Sequence, residues 1–85
     1  MKEVQFSALA YTQFLDWKKE DKKMYSRIEN LINIIQTNPY GGIGKPEPLK
    51  YELSGYWSRR IDKIHRLVYK VTAETIIVVS CKYHY

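Results

Sequence analysis

Residues 65–80, HRLVYKVTAETIIVVS, contain two apolar runs separated by a short polar connection. The first run alternates apolar with basic side chains, and the second is rich in β-branched residues, and both patterns are typical of β-strands. The connection Thr72-Ala73-Glu74 is too short for parallel strands, which need a crossover of a dozen or more residues. This stretch therefore predicts two neighbouring strands of an antiparallel sheet.

The residues before this hairpin predict two further strands. LKYEL (49–53) and YWSRRID (56–62) flank the tight connection Ser54-Gly55, and the loop NPYGGIGKPEP (38–48) precedes them. The loop holds all three prolines and three of the four glycines. Because prolines stand on both sides of Glu47, the backbone around this residue is restricted, and we predict a stiffened loop there.

The N-terminal half predicts a short strand followed by two helices. KEVQF (2–6) alternates loosely, Ser7 suits the N-cap of a first helix, and Asp21 suits the N-cap of a second. Pro39 ends the second helix, because the residue before a proline is biased out of the helical region. Apolar residues of the second helix share one face: Met24, Ile28, Leu31, Ile32 and Ile35.

These elements follow the order β-α-α-β-β-β-β. We predict an α+β fold in which the N-terminal strand and a two-helix hairpin pack on a twisted antiparallel β-sheet. The helices cover one face of the sheet and leave the other open. The whole chain, residues 1–85, forms a single domain, because a chain of this length supports one small core.

Composition excludes several classes of protein. Hydrophobic residues make up 45% of the chain, which is too many for a disordered protein. The longest apolar run, Ile76 to Val79, is far shorter than a membrane span, and the N-terminus lacks the apolar core of a signal peptide. Cys81 is the one cysteine, so an internal disulfide is impossible. We expect a soluble cytoplasmic protein that does not enter a membrane.

Positive charge is concentrated in the C-terminal half. The net charge is +5; residues 1–43 carry 6 basic and 5 acidic side chains, and residues 44–85 carry 8 and 4. A small basic domain suggests a polyanionic partner, with nucleic acid first. A charged surface that only keeps the protein soluble explains the same numbers equally well.

Alternation along the strands predicts which side chains share the open face, opposite the helices. In the last strand, residues 77, 79, 81 and 83 fall on the core face, and residues 76, 78, 80, 82 and 84 fall on the open face. A solvated sheet face would explain lysines there, but it explains paired arginines and a histidine less well. The predicted open face carries Arg60, Arg66, Lys82 and His84.

One constellation of residue types suggests chemistry. No cysteine or histidine has the spacing of a zinc site, and the core parity of Cys81 argues against a nucleophile. A carboxylate, several cations and a histidine suit metal-free RNA cleavage, which needs a base, an acid and charge stabilisation at phosphorus. Glu47, Arg66 and His84 are the candidates, although a loop glutamate is usually just solvated and a single histidine is usually structural.

Four motifs together resemble a known family. GKPEPLK (44–50), LSGYWSRRI (53–61), HRLVY (65–69) and CKYHY (81–85) resemble the YoeB toxins, from the Txe/YoeB branch of the RelE superfamily. The resemblance covers essentially the whole chain in order, and it implies a RelE-like fold.

The resemblance also implies roles for individual residues. Glu47 corresponds to the proposed general base, Arg66 to the arginine that stabilises the scissile phosphate, and His84 to the proposed general acid. Tyr85 would support the site or pack on a substrate base, although simple alternation places it on the core side. Four lysines and arginines would bind phosphate: Lys50, Arg60, the weaker candidate Lys45, and Lys82, where the family more often has arginine.

The implied function is that of the toxin of a type II toxin–antitoxin system. Such toxins are ribosome-dependent endoribonucleases, or mRNA interferases, that cleave mRNA in the A site without a cofactor and so inhibit translation. The implied partners are a YefM-like antitoxin, the 70S ribosome with its mRNA and rRNA, and a second copy of the chain. The main alternative is a non-catalytic basic domain that binds nucleic acid. A ParE-like toxin directed at gyrase is disfavoured, because those relatives lack the Glu and His-Tyr arrangement.

Overall fold

The computed structural model describes residues 1–83, which fold into a five-stranded sheet with two helices packed on one face. The order of strands across the sheet is β1-β5-β4-β3-β2. The elements are β1 (Glu3–Phe6), α1 (Ala8–Glu20), α2 (Lys22–Thr37), β2 (Glu47–Pro48), a 3₁₀ turn (Tyr51–Leu53), β3 (Tyr56–Arg60), β4 (Arg66–Val71) and β5 (Thr75–Ser80).

The predicted α+β class, with one strand and two helices before the remaining strands, is confirmed. The sheet is mixed, however, because β1 joins its edge in parallel with β5, while the other neighbouring pairs are antiparallel. The two helices between β1 and the rest of the sheet supply the long connection that such a parallel neighbour requires.

Both predicted helix caps are present. The Ser7 hydroxyl accepts a hydrogen bond from the backbone N–H of Ala10 at 3.1 Å, and the Asp21 carboxylate accepts from Lys23 and Met24. These bonds satisfy backbone donors that have no partner within the helix. No helix within residues 1–83 is both long and apolar enough to cross a membrane. The predicted apolar stripe of α2 is buried along its length: Met24, Ile28, Leu31, Ile32 and Ile35.

The predicted strand at residues 49–53 is wrong. The strand that pairs with β3 is the preceding dipeptide, Glu47–Pro48, and the Leu49 N–H adds one more bond to the Tyr56 carbonyl at 2.9 Å. Beyond Leu49 the chain leaves the sheet, because Tyr51 takes a left-handed conformation with φ of 58° and begins a 3₁₀ turn. Glu47 therefore lies on a short edge strand of the sheet rather than in the loop before it.

A β-bulge in β5 overturns the predicted alternation of the last strand. Val68 pairs with Ser80 while its neighbour Tyr69 pairs with Val78, so Val79 is an extra residue on β5. Ile76 and Val78, predicted on the open face, are buried in the core with no exposed surface. Cys81, beyond the bulge, is also in the core. A single inserted residue changes the face on which every later side chain lies.

A buried arginine fixes the loop between α2 and β2. Arg59 is fully buried, and its guanidinium donates to the Tyr69 hydroxyl at 3.0 Å, the Ile43 carbonyl at 2.9 Å and the Asn38 carbonyl at 2.7 Å. The Tyr69 hydroxyl in turn donates to the Pro39 carbonyl at 2.8 Å. Burial raises the pKa of Tyr69, and the hydrogen bond from Arg59 offsets part of that rise. These contacts tie the start and the middle of the glycine-rich loop to the sheet.

Candidate active site

Strand pairing brings the candidate base and the candidate phosphate-binding arginine together. Glu47 pairs with Ser58 across β2 and β3, and Ser58 pairs with Val68 across β3 and β4. Arg66 lies diagonally from Ser58, and its Nη1 is 3.3 Å from the Ser58 hydroxyl and 3.8 Å from Glu47 Oε2. The sheet thus assembles a carboxylate, a hydroxyl and a guanidinium from three strands.

The Glu47–Arg66 ion pair is partly open to solvent and loosely joined. The Glu47 side chain is 58% exposed and that of Arg66 is 20% exposed, and their 3.8 Å separation is too long for a hydrogen bond. Exposed ion pairs of this kind contribute little to stability, of the order of 0–1 kcal/mol. Either group can therefore exchange its partner for a ligand at small cost.

Arg60 extends the positive charge toward one end of the sheet. It pairs directly with Arg66 across β3 and β4, and its backbone N–H donates to the Gly44 carbonyl at 2.7 Å. Gly44 has a φ of 88°, and a Cβ there would lie 3.2 Å from the Arg60 carbonyl, so this close approach requires glycine. Arg60 lines a cavity of about 530 Å³ with Arg27, Gly44, Lys45, Ile61, Asp62 and Lys63.

Lys50 shares a cavity with Glu47. It lines a second cavity, of about 370 Å³, together with Glu47 itself, Leu49 and Tyr51. Tyr51 is 92% exposed, so its ring is free to contact a ligand. Three of the predicted phosphate-binding residues thus line cavities: Lys45 and Arg60 line the first, and Lys50 lines the one that Glu47 also lines.

Lys82 does not join this group. Its Nζ lies 3.3 Å from Glu20 Oε2 and 5.1 Å from the centre of the Trp17 ring, so its side chain packs against α1. The prediction that Lys82 shares the open face with Arg60 and Arg66 is wrong. It relied on strand alternation continuing to residue 82, whereas β5 ends at Ser80.

The last described residue is held beside Arg66. The backbone N–H of Arg66 donates to the Tyr83 carbonyl at 3.1 Å, and the backbone N–H of Tyr83 donates to His65 Nδ1 at 2.7 Å. His84 and Tyr85, the predicted acid and its supporting residue, lie outside the described residues. Within residues 1–83, no three histidine, cysteine, aspartate or glutamate side chains are grouped closely enough to hold a metal ion.

Comparison with known proteins places the chain in a family. The family model described as the YoeB-like toxin of bacterial type II toxin–antitoxin systems matches residues 6–85. This chain belongs to the YoeB toxin family. The resemblance predicted from its four motifs is confirmed.

Similar proteins match this YoeB-family toxin over nearly its full length. A YoeB toxin from Mycobacterium bovis is 51% identical over 85 residues and covers 100% of both chains. The YoeB toxin of Streptomyces coelicolor is 48% identical and covers 96% of this chain and 98% of its own.

Solved structures agree in fold. A YoeB dimer from Staphylococcus aureus has a TM-score of 0.92 at 46% identity, covering 99% of this chain and 98% of its own. A heterotetrameric YoeB–YefM complex from the same organism has a TM-score of 0.91 at 45% identity and covers 100% and 99%. The Escherichia coli toxin YafQ, at 19% identity with a TM-score of 0.81, covers 99% and 94% and shares the fold.

Cys81 is a core residue of this YoeB-family toxin. Its backbone N–H donates to Gln13 Oε1 at 2.8 Å, its carbonyl accepts from Trp17 Nε1 at 2.9 Å, and its thiol lies 3.6 Å from the Ala10 carbonyl. Burial raises the pKa of the thiol to about 12, and the charge of Lys82 acts in the opposite direction. The predicted core role agrees with these contacts.

The raised pKa gives a prediction. Because the pKa of the native thiol rises from the usual 9.0 to about 12, Cys81 should carry about a thousandfold less thiolate at neutral pH. Iodoacetamide, which reacts with the thiolate, should therefore modify it only after unfolding. Because the unfolded thiol ionises first, stability should fall as pH rises above about 9. Alkylation measured by mass spectrometry, with and without urea, checks the first point. Rapid labelling of the native protein would contradict it.

Some residues near the site were missed in the sequence. The Arg66 guanidinium donates a hydrogen bond to the Ser58 hydroxyl. The sequence could have indicated this role, because Ser58 lies two residues from Arg60 and therefore shares its face of the strand. His65 has no role among the predicted site residues, although its ring accepts a hydrogen bond from the backbone of Tyr83. Arg27 reaches the cavity beside Arg60 from α2, and helical periodicity carries no sign of that contact.

Proposed function

We propose that this toxin is an endoribonuclease that cleaves mRNA in the ribosomal A site and needs no metal ion for the chemical step. The observation that carries the proposal is the exposed pair of Glu47 and Arg66, held together by three strands. Phosphoryl transfer to a neighbouring hydroxyl needs a base and a stabilising cation at one place, and this pair offers both.

The proposed reaction is an in-line displacement at phosphorus. Glu47 takes the proton from a ribose 2′-OH, and the resulting oxygen forms a bond to the adjacent phosphorus. Arg66 turns from Glu47 to the phosphate and stabilises the extra negative charge of the phosphorane. His84 protonates the departing 5′-oxygen as its bond to phosphorus breaks, and Tyr85 supports this end of the site. The products are a 2′,3′-cyclic phosphate and a free 5′-hydroxyl.

The phosphates on either side of the scissile bond would meet the two cavities. Arg60 and Lys45, with Arg27 and Lys63 beside them, line one cavity, and Lys50 lines the other. Four cations and one carboxylate around the first cavity favour an anion there. Lys82 is left out of this set because Glu20 engages it.

The partners proposed for this chain follow from its relatives. Solved structures from Staphylococcus aureus include a YoeB dimer and YoeB–YefM complexes. We propose that this chain likewise pairs with a YefM-like antitoxin, forms a homodimer and acts in the cytoplasm. The rRNA around the A site would contact the same basic surface as the mRNA.

The test is mRNA cleavage on programmed 70S ribosomes. Wild-type protein should give a fragment ending in a 2′,3′-cyclic phosphate or 3′-phosphate, and His84→Ala should lose most of the cleavage while keeping ribosome binding. A fragment ending in a 3′-hydroxyl would contradict the mechanism, because water activated by a metal would then be the nucleophile.

The same assay separates the alternative function. A non-catalytic basic domain would inhibit translation without cutting, so His84→Ala would keep full inhibition and Arg66→Ala would weaken binding. Growth arrest by the His84→Ala protein at wild-type strength would favour the binding domain.

A further inference from the structure

Two neighbouring residues hold both backbone groups of Tyr83. His65 Nδ1 accepts the Tyr83 N–H at 2.7 Å, and the Arg66 N–H donates to the Tyr83 carbonyl at 3.1 Å. We call this pair of hydrogen bonds the Tyr83 clamp. Tyr83 has a φ of 62°, a left-handed conformation that costs a non-glycine residue of the order of 1–2 kcal/mol. The clamp is the contact that offsets this cost.

His65 is itself fixed from several directions. Its backbone N–H donates to Asp62 Oδ1 at 2.7 Å, and its carbonyl accepts from Ile61 at 2.9 Å. Its ring meets the Trp17 ring edge-on, with centres 4.8 Å apart, and lies 5.4 Å from the Tyr83 ring. A ring held so firmly can place the backbone of Tyr83 with little freedom.

Asp62 supports this turn electrostatically. Burial raises the pKa of its carboxyl, but hydrogen bonds from the backbone N–H groups of His65 and Ile64, together with the charge of Arg27, act against burial, and the net pKa is lowered. The carboxylate therefore stays ionised and keeps accepting both N–H groups of the β3–β4 turn.

We propose that His65 is a positioning residue for the reaction, acting through the clamp on the His84-Tyr85 dipeptide that follows Tyr83 in sequence. The inference rests on the proposed function, in which His84 is the acid. Through the clamp, His65 fixes Tyr83, the last described residue, against the backbone of Arg66, the arginine proposed to bind the phosphate. A displacement of about 1 Å in a reacting group can cost of the order of 10²-fold in rate.

The clamp requires one protonation state of His65. An imidazole nitrogen accepts a hydrogen bond only when it carries no proton, so Nδ1 must be free and the ring proton must lie on Nε2. The charged groups around the ring are Asp62 in its own turn, Arg66 next in the chain, Lys82 beside Tyr83 and Trp17, and Glu20 on α1 paired with Lys82.

Three substitutions of His65 distinguish the role of its hydrogen-bond acceptor, Nδ1, from the role of its aromatic ring. His65→Asn places a carbonyl oxygen close to where Nδ1 lies, His65→Gln moves that oxygen one bond further out, and His65→Phe keeps the ring without an acceptor. On programmed ribosomes we expect His65→Phe and His65→Gln to lower single-turnover cleavage about 10- to 100-fold at unchanged ribosome affinity. His65→Asn should restore most of the rate. If His65→Phe does not fold, the comparison of Asn with Gln decides, and equal rates for that pair would overturn the proposal.

Hydrogen exchange tests the clamp without reference to activity. The Tyr83 amide should be protected in the wild type and in His65→Asn, and it should exchange freely in His65→Phe and His65→Gln. Protection that persists in the Phe and Gln variants would show that His65 does not hold Tyr83, and would overturn the proposal.

A double mutant separates this inference from the proposed function. If His65 acts through His84, adding His65→Phe to His84→Ala should cause no further loss of cleavage. Wild-type cleavage by His84→Ala alone would overturn the role of His84 in the proposed function. Loss of cleavage in His84→Ala together with wild-type rates in His65→Phe would overturn the role of His65 alone.

Discussion

Glu47→Gln is expected to lower the rate of mRNA cleavage on ribosomes by about 10²- to 10⁴-fold, the contribution of a general base. Glutamine has the same shape, but its amide cannot accept the proton of the 2′-hydroxyl. The pairing of β2 with β3 uses the backbone at Glu47, so the substitution leaves the strand in place. Losing the exposed ion pair to Arg66 should change the free energy of unfolding by no more than about 1 kcal/mol.

The matched control is Glu52→Gln. Glu52 lies in the 3₁₀ turn near Glu47, is exposed, and makes the same change in net charge when substituted. Single-turnover cleavage by the two variants and the wild type should separate a catalytic loss from a change in electrostatic attraction to the ribosome. Wild-type rates for Glu47→Gln would eliminate Glu47 as the base.

Arg59→Met is expected to destabilise the fold by about 3–5 kcal/mol, because three hydrogen bonds from one buried guanidinium are lost together. Three acceptors would lose their donor: the carbonyls of Asn38 and Ile43 and the hydroxyl of Tyr69. Each is a hydrogen bond to a charged group, worth about 1.5–3 kcal/mol, and buried groups left without a partner are costly. A small domain with a total stability of about 5–15 kcal/mol has little reserve against such a loss.

Arg60→Met is the matched control for stability, because the next residue in the chain makes the same substitution at an exposed site. Its effect on the free energy of unfolding should stay within about 0.5 kcal/mol. Urea unfolding followed by tryptophan fluorescence would measure both variants. Equal midpoints would contradict the structural role of Arg59.

The helices and the fold class were predictable because their signals are local. Ser7 and Asp21 are residue types that favour the N-cap, and each stands directly before a helical pattern. The apolar stripe from Met24 to Ile35 can be recognised from the helical period alone. The family motifs added the RelE-like fold. The parallel pairing of β1 with β5 was not predicted, because no local pattern in a four-residue strand records which distant strand it meets.

The errors arose where a single residue changes the geometry. The alternating pattern of β5 contains no mark of the extra Val79, so Ile76 and Val78 were assigned to the wrong face. LKYEL looks like a strand by composition, but the left-handed backbone of Tyr51 ends the pairing just after Leu49. Both features depend on how the partner strand is placed.

The candidate site was predicted in part. The shared face of Arg60 and Arg66 follows from alternation in two regular strands and is present. The burial of Arg59 was not predicted. Alternation places this residue on the core face, but the sequence does not show the backbone carbonyls that accept its hydrogen bonds there. The position of Lys82 was wrong, because β5 ends at Ser80 and strand alternation does not extend to residue 82.

The bulge at Val79 also bears on how relatives of this chain can diverge. An insertion or deletion between Val78 and Cys81 would move Cys81 out of its bonds with Gln13 and Trp17 and would displace Tyr83 from His65. A substitution at Val79 keeps the spacing and disturbs none of these contacts. Natural selection should therefore preserve the length of this segment more strictly than the residue type at its extra position, and evolutionary gaps should fall elsewhere in the chain.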